Sequence, residues 1–348
     1  MIGPRARMSA SAAASQTLMI TAISRRDRRL PPVFALTLGL LMPLSMPGGP
    51  LTAESQAPAS TAPSSQPTSA TTQDQPLPDL DAFVKKVKDR IRLDSELQVD
   101  YTYVEKRRDV KVSKLGKVAV GPLRTFEVYP SNKPGRTYKR LVAIDGKPLD
   151  PAELERRDQA HREHMIALAT QEQNETPAEK AKRLEKDAKE KREMNDVIDD
   201  AFAVFAIKVE GREVRDGHKV IVASLTPRKE AKTKSEVGDW LKKFKARAWV
   251  AEDDAQLVHI EAIAIDDITL GWGLVGRVHD GSKFTFTRKK VNNEVWLPAE
   301  ATFEASGRSL VFRSFQISTT TTYSDYKKFS VDTSITYSTP KGDEKHQP

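Results

Sequence analysis

The stretch KFTFTRKKVNNEVWLPAEATFEASG, residues 283–307, decides the fold. Aromatic and aliphatic residues alternate with threonine, lysine and glutamate on both sides of Asn292-Asn293, as two strands with one buried face require. Asn-Asn tolerates the positive φ of a tight hairpin turn. A two-residue turn there sets Val291 opposite Glu294. Phe284, Phe286, Val295, Leu297, Ala299, Ala301 and Phe303 then share one face, while Thr285, Thr287, Lys289, Glu294, Glu300 and Thr302 share the other. A one-residue slip would mix the two sets.

The pattern extends over residues 246–329. Asp253-Asp254, Asp280-Gly281 and Ser306-Gly307 punctuate further runs of Val, Ile, Phe, Thr and Trp, so the region is predicted to be an antiparallel meander. A turn at Ser306-Gly307 adds Leu310 and Phe312 to the phenylalanine face and sets Arg313 opposite Glu300. Registers carried through Asp280-Gly281 place Trp272, Lys289, Trp296 and Ile317 in one row, with the ammonium between two indoles. Both faces then carry apolar groups, and a sheet apolar on both sides needs a second cover or a ligand. The glycines of LGWGLVG, residues 270–276, permit a bend or a close approach to the backbone.

Working outward, Ser235 to Phe244 is predicted to be a short helix, with Val237, Trp240, Leu241 and Phe244 on one side. Phe202 to Glu210 and His218 to Thr226 are predicted to form a hairpin across Arg215-Asp216-Gly217. Residues 150–200 are dominated by Glu, Lys, Arg, Asp and Ala, with helix starts at Asp150-Pro151 and Thr176-Pro177-Ala-Glu179. They are predicted to form a charged helical hairpin, or one long broken helix, inserted between strands. Asp158, His161 and His164 recur every third residue within it, too few ligands for a metal site. Strands are expected at Lys117 to Tyr129 and Arg136 to Ile144, and one begins near Leu97 and continues through Tyr101 and Tyr103. Leu80, Phe83, Val84, Val87 and Ile91 form the apolar stripe of a helix opened at Pro78-Asp79, with Asp79 or Asp81 as its cap.

The N-terminal region differs in kind. Arg25, Arg26, Arg28 and Arg29 precede an apolar run, Val33 to Met46, that is short for a membrane span. Residues 1–53 are predicted to be a cleaved signal peptide, the alternative being an uncleaved inner-membrane anchor. Residues 54–78, rich in Ser, Thr, Pro, Ala and Gln, are predicted to be a disordered linker. A single domain is expected over 79–335, and a disordered tail over 336–348. The leader holds six Arg and one Asp, so its removal lowers the net charge from +8 to about +3. That balance argues against a nucleic-acid partner. The absence of cysteine excludes disulfides, thiol catalysis and cysteine-linked lipid. No Asp, Glu, His, Ser or Lys set has a spacing that specifies a reaction. No catalytic residue, metal or cofactor is expected.

A leader, an amphipathic helix at 79–92, paired strands beginning at Tyr101-Thr-Tyr103, and a meander ending in Glu294-Val-Trp-Leu-Pro298 and Tyr323-Ser-Asp-Tyr-Lys-Lys-Phe329 together form a layout. It resembles the lipoprotein-localisation carrier family of the Gram-negative envelope (LolA/LolB-like, with the anti-sigma regulator RseB as a relative). The resemblance implies an α+β fold: a strongly curved antiparallel sheet, an incomplete barrel, closed by the N-terminal helix. It also implies a non-catalytic, periplasmic protein whose apolar cavity takes a lipid or the acyl chains of a lipoprotein. Phe284, Phe286, Leu297, Phe303, Phe312, Trp272 and Trp296 are the candidate lining residues. An envelope protein captured through 150–200 is the alternative partner, and membrane contact after leader removal is at most peripheral.

Overall fold

The computed structural model describes residues 76–113, 116–133, 135–270, 276–309 and 314–328. The predicted leader and tail, and the linker up to residue 75, lie outside them. The chain enters through α1 (Leu80–Leu97), whose first turn is capped by Asp79 accepting from the Ala82 N–H at 2.8 Å. A 3-10 turn, Gln98–Asp100, leads into β1 (Tyr101–Val112). There follow β2 (Val118–Val120), β3 (Arg124–Tyr129), β4 (Tyr138–Ile144) and the short β5 (Lys147–Pro148). The inserted hairpin is α2 (Pro151–Gln173) and α3 (Pro177–Val204). Thr176 and Glu179 cap α3 reciprocally, so the two orphan N–H groups that the sequence pattern addresses are both satisfied. Then come β6 (Phe205–Arg215), β7 (His218–Pro227), α4 (Glu236–Leu241), β8 (Phe244–Ala251) and β9 (Leu257–Ala264). A small pair, β10 (Ile268–Leu270) and β11 (Gly276–Val278), precedes the long β12 (Lys283–Val291), β13 (Val295–Ser309) and β14 (Ser314–Lys328).

All pairings are antiparallel, in the order β5-β4-β3-β1-β14-β13-β12-β9-β8-β7-β6, with β2, β10 and β11 on side branches. The two ends of this order do not meet. The molecule is therefore α+β, a curved open sheet with helices, as the resemblance implied. The charged hairpin joins one end of the sheet to the other, because β5 precedes it and β6 follows it.

One face of the sheet carries α1 and α4 and is called here the inner face. Phe284 and Phe286 stand on it beside Phe303 and Ala301, their partners across β12 and β13. The registers continue it through Thr319 and Thr321 of β14, Arg107 and Asp109 of β1, and Arg124 and Phe126 of β3. In the other direction it runs through Ile260 and Ala262 of β9 to Ala248 and Ala246 of β8. Helix α1 packs Val87, Phe83 and Ile91 onto Val250 and Leu257, and Trp240 of α4 packs near Phe244 and Phe303.

Several predicted details change. Pairing resumes after Asn292-Asn293 with Val291 opposite Val295, one residue later than a two-residue loop gives. Beyond a bulge at Ala299 the offset grows by one more, so Phe284 faces Phe303. Pro298, which has no N–H to give the ladder, sits beside the extra residue. A slip of two preserves faces and a slip of one inverts them. Phe284, Phe286, Ala301 and Phe303 thus remain together, whereas Val295 and Leu297 pack instead with Tyr101. The predicted row does not form: Lys289 stands opposite Leu297, Trp296 opposite Lys290, and Ile317 opposite Ala305 and Lys111. Trp272, the fourth member, lies outside the described residues.

Ser306-Gly307 is not a turn, since β13 runs through it and Gly307 pairs with Phe315. A Cβ on Gly307 would lie 2.6 Å from the Phe315 ring and inside contact of the Arg277 carbonyl. The glycine permits a crowded strand crossing. Leu310, Phe312 and Arg313, placed from that turn, lie outside the described residues. After Asp280-Gly281 the chain pairs β12 with β9 and not with β11. Residues 117–129 divide into β2 and β3 at Gly121-Pro122, where the Gly121 N–H donates to the Asp109 carbonyl at 2.7 Å. Leu97 ends α1 and does not start β1; likewise Phe202 belongs to α3. The short helix α4 ends at Leu241, before the predicted Phe244.

Candidate ligand-binding face

The inner face divides into an apolar wall and a polar strip. The wall consists of two clusters: Phe244, Ala264, Ile268, Val278, Phe303 and Ala305 in one, and Tyr103, Val128, Phe286, Ala301 and Tyr323 in the other. Phe284 is half-buried and packs against both, its ring 6.4 Å from that of Phe286 and nearly parallel to it. Phe126, Ile260, Phe315 and Ile317 are half-buried around it. The wall is filled where Phe286 and Phe303 sit and partly uncovered at Phe284.

The strip lies on β1 and β3. Asp109 accepts from Thr319 Oγ1 at 2.8 Å and Arg107 Nε at 3.2 Å, and Arg124 Nη1 lies 3.7 Å from it. Glu105, buried, takes Lys139 Nζ at 2.7 Å. Thr321, opposite Arg107 on one side and Ala301 on the other, is 1% exposed, and its hydroxyl has no hydrogen-bond partner. Three phenols adjoin it: Tyr103 lies 5.9 Å from Tyr323 and 5.4 Å from Tyr326. Burial pushes all three hydroxyls well above the usual tyrosine range, and the nearby Glu105 carboxylate adds to it. They are neutral at any physiological pH.

Where α1 meets the sheet, polar groups are fully enclosed. Arg288 Nη2 donates to Asp94 of α1 and to the Trp296 carbonyl, while Gln256 Nε2 donates to Asp94 at 2.9 Å. All three side-chain-bearing residues are buried. Trp296 itself packs with Val220, Val222, Trp249, Ala251 and Val258, away from Phe284. Its Nε1 and Lys290 both donate to Asp254. Burial would raise that carboxyl, but the two donors outweigh it and hold the pKa below the usual range.

Helix α2 sits on the opposite face. Tyr138 and Arg140 alternate with Lys139 and Leu141 and so point away from the strip. Arg140 grips Asp158 of α2 with two nitrogens, at 2.9 and 2.8 Å, and Tyr138 donates to the same carboxylate at 2.6 Å. Burial and that hydrogen bond push the Tyr138 hydroxyl up to about 12. The His161 ring stacks on Tyr138 at 3.8 Å, and burial together with His164 lowers its pKa. Asp158 and His161 therefore serve docking. Among the described residues no three His, Cys, Asp or Glu side chains gather as a metal site.

Of the candidate lining residues, Phe284, Phe286 and Phe303 come together, Leu297 and Trp296 belong to separate clusters, and Phe312 and Trp272 lie outside the described residues. The strip was not foreseen. Charges at 105, 107, 109 and 111 share one face, but Lys106 and Arg108 between them are charged too, so no alternation marks it.

No protein-family model and no curated protein matches the chain. Solved structures similar to it include a putative outer membrane lipoprotein-sorting protein domain from Vibrio parahaemolyticus, at 9% identity and TM-score 0.28, covering 72% of this chain and 93% of that one. A LolA superfamily protein from Nitrosomonas europaea is 8% identical at TM-score 0.24, covering 72% and 94%. A DUF1329 family protein from Desulfovibrio piger is 12% identical at TM-score 0.25, covering 70% and 92%. The first two bear descriptions of the family that the sequence layout resembles. Likeness at this level says nothing of ligand or activity. Among the described residues no helix is long and apolar enough to cross a membrane.

Proposed function

We propose that the chain is an exported, non-catalytic envelope protein that binds a lipid, or the acyl chains of a lipoprotein, on the wall around Phe284. The observation that carries this is the half-buried state of Phe284, Phe126, Ile260, Phe315 and Ile317 on one contiguous inner face. A monomer has reason to cover such a face unless something else does. A sixteen-carbon chain laid there would gain on the order of 10 kcal/mol gross at ~0.8 per methylene. Phe286 and Phe303 extend the wall if the chain enters between sheet and helices, with Phe312 and Trp272 as further candidates. The leader predicted over 1–53 supports the export. Lipid extraction and mass spectrometry of the purified protein, with displacement of a fluorescent acyl probe, test the reading. Co-purifying lipid and probe binding that weakens in Phe284→Asp are expected; neither lipid nor probe binding would reduce the wall to ordinary core.

A second reading has its own observation. Ile166 of α2 and Leu184 of α3 are 47% and 52% exposed on the charged hairpin. Capture of an envelope protein through this arm would weaken in Ile166→Asp with Leu184→Asp, a change that leaves lipid binding intact.

A further inference from the structure

The half of the inner face formed by β1, β3 and β4 differs from the wall in charge. Arg107, Lys111, Arg124 and Lys139 stand on it against Glu105 and Asp109, by register. This half is net positive. The Arg107, Asp109 and Arg124 side chains are 32%, 19% and 23% exposed, so solvent or a ligand reaches them, yet water does not dominate the field. Thr321, with its buried and unpartnered hydroxyl, lies at the boundary, opposite Arg107 on one side and two strands from Phe286 on the other.

We infer that the strip Arg107, Asp109 and Arg124 takes the anionic head of a long-chain amphiphile, a carboxylate or a phosphate, while the chain lies on the Phe284 wall. This rests on the lipid-binding reading and adds the chemistry of the ligand's polar end. Guanidinium groups bind such heads in pairs of parallel hydrogen bonds, which a lysine cannot reproduce. Asp109 accepts from Arg107 and lies 3.7 Å from Arg124, which orients both guanidiniums and offsets part of their charge. The Thr321 hydroxyl has a donor to offer to an oxygen seated between the strip and the wall. A neutral head would leave the guanidiniums no better paired than in the free protein.

The test uses the full chain and four probes of equal chain length below their micellar concentrations: palmitate, 1-palmitoyl-lysophosphatidate, monopalmitoylglycerol and hexadecyltrimethylammonium. Calorimetric titration at two salt concentrations should show at least one anionic probe binding about tenfold tighter than monopalmitoylglycerol, and the cation weakest. The stronger of palmitate and lysophosphatidate identifies carboxylate or phosphate as the head. Arg107→Gln with Arg124→Gln should erase the preference while monopalmitoylglycerol binds as before. Arg107→Lys should retain part of it, and Lys111→Gln, at an exposed position, reports the field alone should the double variant not fold. Equal binding of neutral and anionic probes, or a preference that survives the double variant, overturns the inference and leaves the lipid reading standing. Failure of every probe overturns the lipid reading beneath it.

Discussion

Two arginine–aspartate pairs on the inner face, one at each half of the sheet, have opposite settings. Arg288 and Asp94 tie α1 to the sheet with side chains 9% and 8% exposed. Arg107 and Asp109 lie on one strand, two residues apart, at 32% and 19%. The first pair is sealed by Gln256 and the Trp296 carbonyl. The second has Thr319 and Arg124 beside it and is partly exposed. The same two side-chain types thus fasten a helix in one place and wait on a surface in the other. What separates them is the helix cover.

Breaking the sealed pair has the largest expected effect. Arg288→Ala leaves Asp94 buried without its cation and should cost about 3–5 kcal/mol in urea unfolding. Asp94→Leu with Arg288→Met should recover most of that loss. A cost below about 1 kcal/mol for the single change would mean that water reaches Asp94 and that the two halves are less different than drawn.

The cover itself can be loosened through α4. Asp200 of α3 accepts from the Lys234 and Ser235 N–H groups and the Ser235 hydroxyl, and Gly238 packs against its carboxylate. A Cβ at 238 would collide with that carboxylate. Gly238→Ala should therefore destabilise by about 2 kcal/mol in thermal unfolding, despite the helix preference for alanine. A stabilised variant would show that Asp200 is free to move.

A third change acts at the uncovered half, from its outer side. Asp158→Asn weakens the grip of Arg140 on α2 and should cost about 1–2 kcal/mol at neutral pH. The folded pKa of Asp158 is depressed, first by the Arg140 hydrogen bonds, against burial, and then by Tyr138. Its stabilisation is therefore complete above the unfolded value of about 3.9 and disappears as pH falls through the lower folded value. Wild type and variant should converge in melts taken towards pH 2. A gap that persists there would place the effect in packing and not in charge. Smallest of all, Arg107→Gln should shift unfolding by no more than about 1 kcal/mol, as half-exposed pairs do. A larger loss would turn the strip into a second fastening.

What the sequence made legible follows the same division. Period and caps placed α1, α2 and α3, because Leu80 to Ile91, Asp150-Pro151 and Thr176-Pro177 are local signals. Alternation placed the phenylalanine face. The bulge at Ala299 and the crossing at Gly307 were hidden, since proline and glycine there answer to neighbouring strands, not to the chain beside them. The strip was hidden for another reason. Six of the eleven residues from Tyr101 to Lys111 are charged, on both faces of the strand, so only the pairing of β1 with β14 reveals which of them face inwards.

That pairing has a consequence for how the molecule is made. Tyr101 is opposite Lys328, so the central seam of the sheet joins the first long strand to the last. A chain emerging amino-terminus first can pair β1 with β3, but the other edge of β1 stays open until β14 has followed. Contacts of such sequence separation place the sheet among the slow-folding topologies. The apolar wall on β12 and β13 must meanwhile stay out of other chains until the β1–β14 ladder has formed.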